Sequence, residues 1–165
     1  MTKAVQKPVV YLETSFVSYL TGRTSPDPQV ALKQAATRRW WDAMRDKVRP
    51  VVSYLVRAEI SAGNAEAVSR REDAIRDLPS WNRSTEAMAL ADCLIRAHAL
   101  PENEQADAVH IAVAAVGGAD ILLTWNCRHI ANPVTLPKTV EIVLKAGFKC
   151  PAIATPAQLL EVQNA

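Results

Sequence analysis

Residues 105–126 read QADAVHIAVAAVGGADILLTWN, and this stretch decides the fold. Its Ala/Val-rich first half belongs to a helical pattern over residues 103–116 that Gly117 and Gly118 close. ADILLT (119–124) follows as a continuous apolar run, the kind found in parallel strands buried on both faces. The same alternation extends in both directions. PVVYLE (8–13) reads as a first strand, with Thr14 or Ser15 as the N-cap of a short helix through Leu20. TGRTSPDP is turn material, and from Gln29 to about Val48 the pattern is helical, with Trp41, Met44 and Val48 on one stripe. Pro50 ends it and VVSYL (51–55) reads as a second strand; VRAEISAG is then a short helix stopped by Gly63. Residues 64–77 and 84–98 are two further helices, separated by LPSWNRS with Ser84 as a cap. Beyond ADILLT come a Pro-bearing loop, a helix around 139–147, a last strand near Cys150–Ile153 and a short TPAQLLE helix. Strands alternating with helices predict an α/β sandwich with a mostly parallel sheet.

Composition sets the limits. A chain of 165 residues without repeat, low-complexity tract or linker predicts a single domain over 1–165, long enough to bury a real core. Net charge is only +2, so any nucleic-acid binding must come from local clustering of charge. Such a cluster lies in 31–50, where Lys33, Arg38, Arg39, Arg45, Lys47 and Arg49 surround Trp40 and Trp41. Two readings stand: a phosphate-contacting patch with stacking aromatics, or a Trp core stripe with a wet basic face. Cys93, Cys127 and Cys150, odd in number and widely spaced, fit neither a disulfide framework nor a zinc site. MTKAVQKPVVYLETS lacks the apolar core of a signal peptide. No apolar run reaches the roughly 20 residues that span a bilayer. The expectation is a cytoplasmic protein with no membrane attachment.

Ligand crevices of such sheets lie at the carboxyl ends of the strands. Glu13 ends the first strand, Asn126 sits two residues past Thr124, and Glu59 follows the second strand by about one helical turn. Asp107 must reach the crevice from its helix. Gathered together, the four form a set of oxygen ligands suited to Mg²⁺ or Mn²⁺, the chemistry of a metal-dependent hydrolase. Each has a plainer reading: an exposed strand-terminal charge at Glu13, a solvated helix residue at Glu59, a helix-dipole aspartate at Asp107, a turn former at Asn126. Ser15 and Thr124 either orient ligands by their hydroxyls or cap backbone. His110, one turn after Asp107, either backs the site or is simply packed or solvated. Asp120, at the opposite end of its strand, reads as structural. No Gly-rich phosphate loop, G-x-S-x-G elbow or His-Glu-x-x-His occurs.

The ordered set LETS, SYLVRAEI, ADAVHIAVAA and GADILLTWN resembles the PIN-domain ribonucleases, and among them is most similar to the VapC-like toxins of bacterial toxin–antitoxin pairs. The resemblance spans about Pro8 to Glu161. It implies an α/β/α sandwich, a Mg²⁺- or Mn²⁺-dependent endoribonuclease, frequent homodimerisation, and a cognate antitoxin that docks near the active site and silences it. It places the acidic quartet, catalytic and metal-holding, on Glu13, Glu59, Asp107 and Asn126, with Ser15 and Thr124 as polar helpers. Arg128 and His129 of TWNCRHI then stand beside Asn126, either contacting the scissile phosphate or facing solvent. Two departures stand out. The family usually carries aspartate at the position of Glu13, and the extra methylene shifts a fully extended carboxylate by roughly 1.5 Å. Asn126 is neutral where a fourth aspartate is common, which favours single-metal chemistry or a second ion recruited with substrate. In the implied mechanism Glu13 and Asp107 are the main ligands, Glu59 binds metal or positions water, and Asn126 completes the shell through its amide oxygen or a water. The rival readings are a PIN-like module that binds RNA or a protein partner without cutting, and a phosphohydrolase of small esters, for which LETSF lacks the expected D-x-D element.

Overall fold

The computed structural model describes residues 6–163, so the two ends of the single-domain expectation lie outside the described residues. In chain order the elements are β1 (Val9–Leu12), α1 (Thr14–Thr21), α2 (Pro28–Met44), β2 (Arg49–Ser53), α3 (Tyr54–Ile60) and α4 (Ala65–Ile75). There follow β3 (Ser80–Trp81), α5 (Thr85–Arg96), α6 (Gln105–Val116), β4 (Ile121–Leu123), α7 (Leu136–Lys145), β5 (Ala152–Ala154) and α8 (Pro156–Gln163). The five strands form one sheet in the order β3-β2-β1-β4-β5, and every pairing is parallel.

That order follows from the sequence. β1 is buried through Val10, Tyr11 and Leu12, so it can only sit in the middle of the sheet, pairing Val10 with Pro50 on one side and Ile121 on the other. Asp120 secures this centre from the far end, its Oδ2 accepting the Val9 N–H at 2.8 Å while Lys149 Nζ donates to Oδ1 at 3.0 Å. Its reading as structural matches these contacts. α6 is buried along eight consecutive residues from Ala108 to Ala115. Its Ala/Val composition lets it lie close against α5 with no thick side chains between. Gly117 caps it, and Gly118 turns the chain at φ 77°, a conformation glycine adopts without a Cβ clash.

After β1 the chain builds outward through β2 and β3, then returns to add β4 and β5 on the other side of β1. The strand order reverses between β1 and β4, and the carboxyl ends at such a reversal are where sheets of this kind bind ligands. Glu13 directly follows β1, and Thr124–Asn126 directly follow β4.

Several local expectations are corrected. LPSWNRS contains β3, a two-residue edge strand held by backbone pairing of Val52 with Ser80 rather than by an apolar run. The N-cap of α1 is Glu13 itself, not Thr14 or Ser15, because its carboxylate reaches back to the Ser15 N–H at 3.0 Å. Ser53 caps α3, so Tyr54 and Leu55 are helical, and the helix ends at Ile60 ahead of Gly63. α2 stops at Met44, and its core-facing indole is Trp40, 1% exposed, with Trp41 only partly buried beside it. The helix expected at 139–147 starts earlier, at Leu136, and the last strand lies at Ala152–Ala154. The three cysteines are free thiols, and no helix among the described residues is long and apolar enough to cross a membrane.

Candidate active site

Glu13 is 6% exposed, a carboxylate that needs partners if it is to be charged there. Its Oε2 takes three donors: the Ser15 N–H, the Ser15 hydroxyl, and the Thr124 hydroxyl at 2.8 Å. Thr124, wholly buried, also accepts the Asn126 N–H at 2.9 Å, while Ser15 Oγ accepts the Trp125 N–H at 2.7 Å. The ends of β1 and β4 are therefore laced together through one carboxylate and two hydroxyls.

Glu59 approaches from α3. Its Oε1 accepts the Thr14 hydroxyl at 2.7 Å and lies 2.6 Å from Nε2 of His110. The same Nε2 lies 3.9 Å from Oε1 of Glu13, so one imidazole, 1% exposed, stands between two carboxylates. Burial raises the pKa of Glu59, but the hydrogen bond and charge of His110, together with Thr14, outweigh it and hold the group below its ordinary value. Behind the ring, His110 Nδ1 lies 2.8 Å from the Tyr11 hydroxyl, which lies 2.8 Å from Ser53 Oγ. Burial pushes the Tyr11 phenol far above its ordinary value, so it stays neutral and can donate. His110 therefore bridges the two sides of the site, with Nε2 toward Glu59 and Nδ1 toward the Tyr11 hydroxyl.

Asp107 sits in the first turn of α6, where the helix dipole favours its charge. Its Oδ2 accepts from Asn126 Nδ2 at 2.9 Å and lies 3.0 Å from His129 Nδ1. The amide oxygen of Asn126 accepts the His129 N–H at 3.0 Å, which fixes the orientation of the amide. The expectation had Asn126 complete a metal shell through its amide oxygen or a water; in the structure that oxygen accepts from the loop and the NH₂ donates to Asp107. Arg128 is exposed with no side-chain hydrogen bond or ion pair among the described residues, and His129 faces the acids.

In Glu13, Glu59 and Asp107 alike, one carboxylate oxygen is anchored by protein donors. The other receives no hydrogen bond from the described residues. Hard oxygen donors anchored on one side by the chain fit a divalent cation. One group of three among the described residues has its ligand atoms within 4.8 Å of one another and is able to hold a metal ion: Glu104, Asp107 and His129. Glu104 escaped the sequence reading, although it lies three residues before Asp107, one helical turn away.

No family model matches the chain, and no curated protein matches it by sequence at a significant level. Solved structures do. A chain of the VapBC2 complex of Rickettsia felis, bound to a DNA fragment of its promoter, is 12% identical with a TM-score of 0.56, covering 89% of this chain and 98% of that one. VapC20 of Mycobacterium tuberculosis, a Sarcin-Ricin loop cleaving toxin, is 17% identical with a TM-score of 0.57, covering 75% of this chain and 95% of that one. The chain has the PIN-like α/β fold of the VapC proteins.

Proposed function

We propose that this chain is a metal-dependent endoribonuclease acting as the toxin of a toxin–antitoxin pair. The observation that carries the proposal is the set of three carboxylates beyond the β1 and β4 strand ends, each anchored through one oxygen by the chain's own donors. The VapC fold supports the same reading, and the likeness to a chain of the VapBC2 complex supports a protein partner.

Glu13 and Asp107 are the proposed holders of Mg²⁺ or Mn²⁺, with Glu104 and His129 at hand on the Asp107 side. Imidazole in that set favours Mn²⁺ more than an all-oxygen site would. When bound, such an ion acidifies water and neutralises charge on the scissile phosphate. Glu59, held as the carboxylate by His110 and Thr14, is placed to orient the attacking water and accept its proton. Asn126 positions Asp107 rather than ligating: its NH₂ fixes Oδ2, so that Oδ1 is the oxygen presented.

The test is incubation of a mixed cellular RNA pool with and without Mg²⁺ or Mn²⁺, beside Asp107→Asn, with the cut ends sequenced. Metal-dependent cuts at few sites, absent in the variant, are expected. A folded protein that binds RNA but cuts under neither ion would replace the enzyme with an RNA-binding module.

A further inference from the structure

Next to the acids lies a second constellation that the proposed chemistry does not use. Trp125 separates Thr124 from Asn126, and its backbone N–H bonds the hydroxyl that holds Glu13. Its indole Nε1 donates to the buried Thr37 hydroxyl at 2.7 Å, so the ring is pinned by its edge to α2. Tyr19 of α1 meets it at 66°, with centroids 5.9 Å apart. Lys33 Nζ sits 5.7 Å from the Trp125 centroid and 6.0 Å from that of Tyr19. All three residues are half-buried, and Lys33 has no carboxylate partner among the described residues.

A half-buried ammonium between two rings, with no anion, is poised for one. The surrounding carboxylates bond hydroxyls, amides and imidazoles, and the Lys33 ammonium faces two rings rather than any of them. Rings fixed in orientation, partly open, and set beside a cation are the elements by which proteins grip unpaired nucleotides: stacking for the base, charge for the phosphate. Of the basic 31–50 segment, Lys33 is the cation that lies against this pair of rings. Trp40 is buried in the core, and Arg38 is spent on the Leu20 and Gly22 carbonyls.

We propose that Tyr19, Lys33 and Trp125 form a subsite for the nucleotide adjoining the scissile phosphate, stacking its unpaired base and contacting its phosphate. This inference rests on the ribonuclease reading.

The experiment uses the full chain carrying Asp107→Asn, so that bound RNA stays intact, and two probes: oligo(A) of about ten nucleotides and an abasic ribose-phosphate strand of equal length. Trp125→Leu is expected to weaken oligo(A) binding about five- to a hundredfold, the range for a lost base stack, and to leave the abasic strand's affinity unchanged. Trp125→Phe, which keeps an aromatic face but not the Thr37 bond, should restore most of the loss. Lys33→Gln should reduce the slope of log K against log salt by about 0.7, one phosphate on a single strand. Equal weakening on both probes, or no rescue by Phe, would show that Trp125 merely holds the loop, and an unchanged slope would remove Lys33; either overturns the subsite. If the unmodified chain cuts RNA and these variants bind as before, the subsite alone falls. If the chain neither binds nor cuts RNA, the reading beneath it falls too.

Discussion

Thr124→Val removes one hydroxyl and keeps the shape of the side chain, which makes it the cleanest probe of how the site is held. The hydroxyl is wholly buried, donates to Glu13 Oε2 at 2.8 Å and accepts the Asn126 N–H at 2.9 Å. A hydrogen bond to a charged group contributes about 1.5–3 kcal/mol, and a buried N–H left unpaired costs about 1–3 kcal/mol. Asn126 is only half-buried and water can reach part of that debt, so the loss should come to about 2–4 kcal/mol. For a domain of this size that is a fall of roughly 5–15 °C in Tm. Urea melts monitored by circular dichroism measure it, with Thr124→Ser, which retains the hydroxyl, as the control expected to recover most of the stability. The decisive comparison is the double-mutant cycle with Glu13→Gln: if Thr124 acts through the Glu13 charge, the two losses overlap by about 1 kcal/mol or more. A loss under about 0.5 kcal/mol, or strictly additive losses, refutes the claim that this hydroxyl joins the two strand ends through Glu13. Cleavage should fall along with stability, since the same hydroxyl positions Asn126 and hence Asp107.

Asn126→Asp replaces the NH₂ that donates to Asp107 with a second carboxylate, which should lower stability by about 1–3 kcal/mol without metal. Adding Mn²⁺ should then raise Tm by more than in the unmodified protein, as scanning fluorimetry would report; an equal rise would place the ion away from this pair. Gly117→Ala drives a Cβ into the Trp81 ring and should cost about 1–3 kcal/mol in a thermal melt, with β3 the first element to lose hydrogen-exchange protection. At Asp120 the Val9 N–H comes first, with Lys149, in holding the carboxyl below its ordinary value. A depressed folded-state pKa contributes stability above the unfolded value near 3.9, lost as pH falls through the folded one. Asp120→Asn should therefore cost up to about 1 kcal/mol at pH 7, discounted for exposure, and the gap should close below pH 4. A gap that persists to pH 2 would contradict the charge-based account.

The fold was legible because its strong elements carry strong patterns. Val10–Leu12 and Leu122–Leu123 are apolar on both faces and could only be central parallel strands, and the Ala/Val run of α6 is small enough to be buried throughout. Ser80–Trp81 carries no such pattern; only its pairing with Val52 and Ser53 makes it a strand. Adjacent indoles at 40 and 41 are the same residue type, and Phe16 meets both rings, so only the tertiary packing shows that Trp40 is the one wholly buried. Glu13 stood out because it ends a strand, and Asp107 because it is an acid in an Ala/Val helix. What holds the acids did not: Thr14 with Glu59, His110 with Glu59, and His129 with Asp107 are 45, 51 and 22 residues apart, beyond any local motif.

Glutamate at position 13 and asparagine at 126 are two halves of one arrangement. An aspartate cap returns its carboxylate straight to the N–H two residues on. Glu13 makes that same bond to Ser15 with a longer arm, and it does so without displacing the strand end, since its own N–H still bonds the Leu123 carbonyl at 3.0 Å. The same Oε2 also reaches the Thr124 hydroxyl at 2.8 Å. Thr124 in turn fixes the backbone of Asn126, whose amide can then give a proton to Asp107. A carboxylate at 126 would put like charges at the 2.9 Å that now separates donor from acceptor, a contact stable only with a cation present. With the amide there and His110 and His129 beside the remaining acids, the three carboxylates are held in place by the chain alone, each oriented before any ion or substrate arrives.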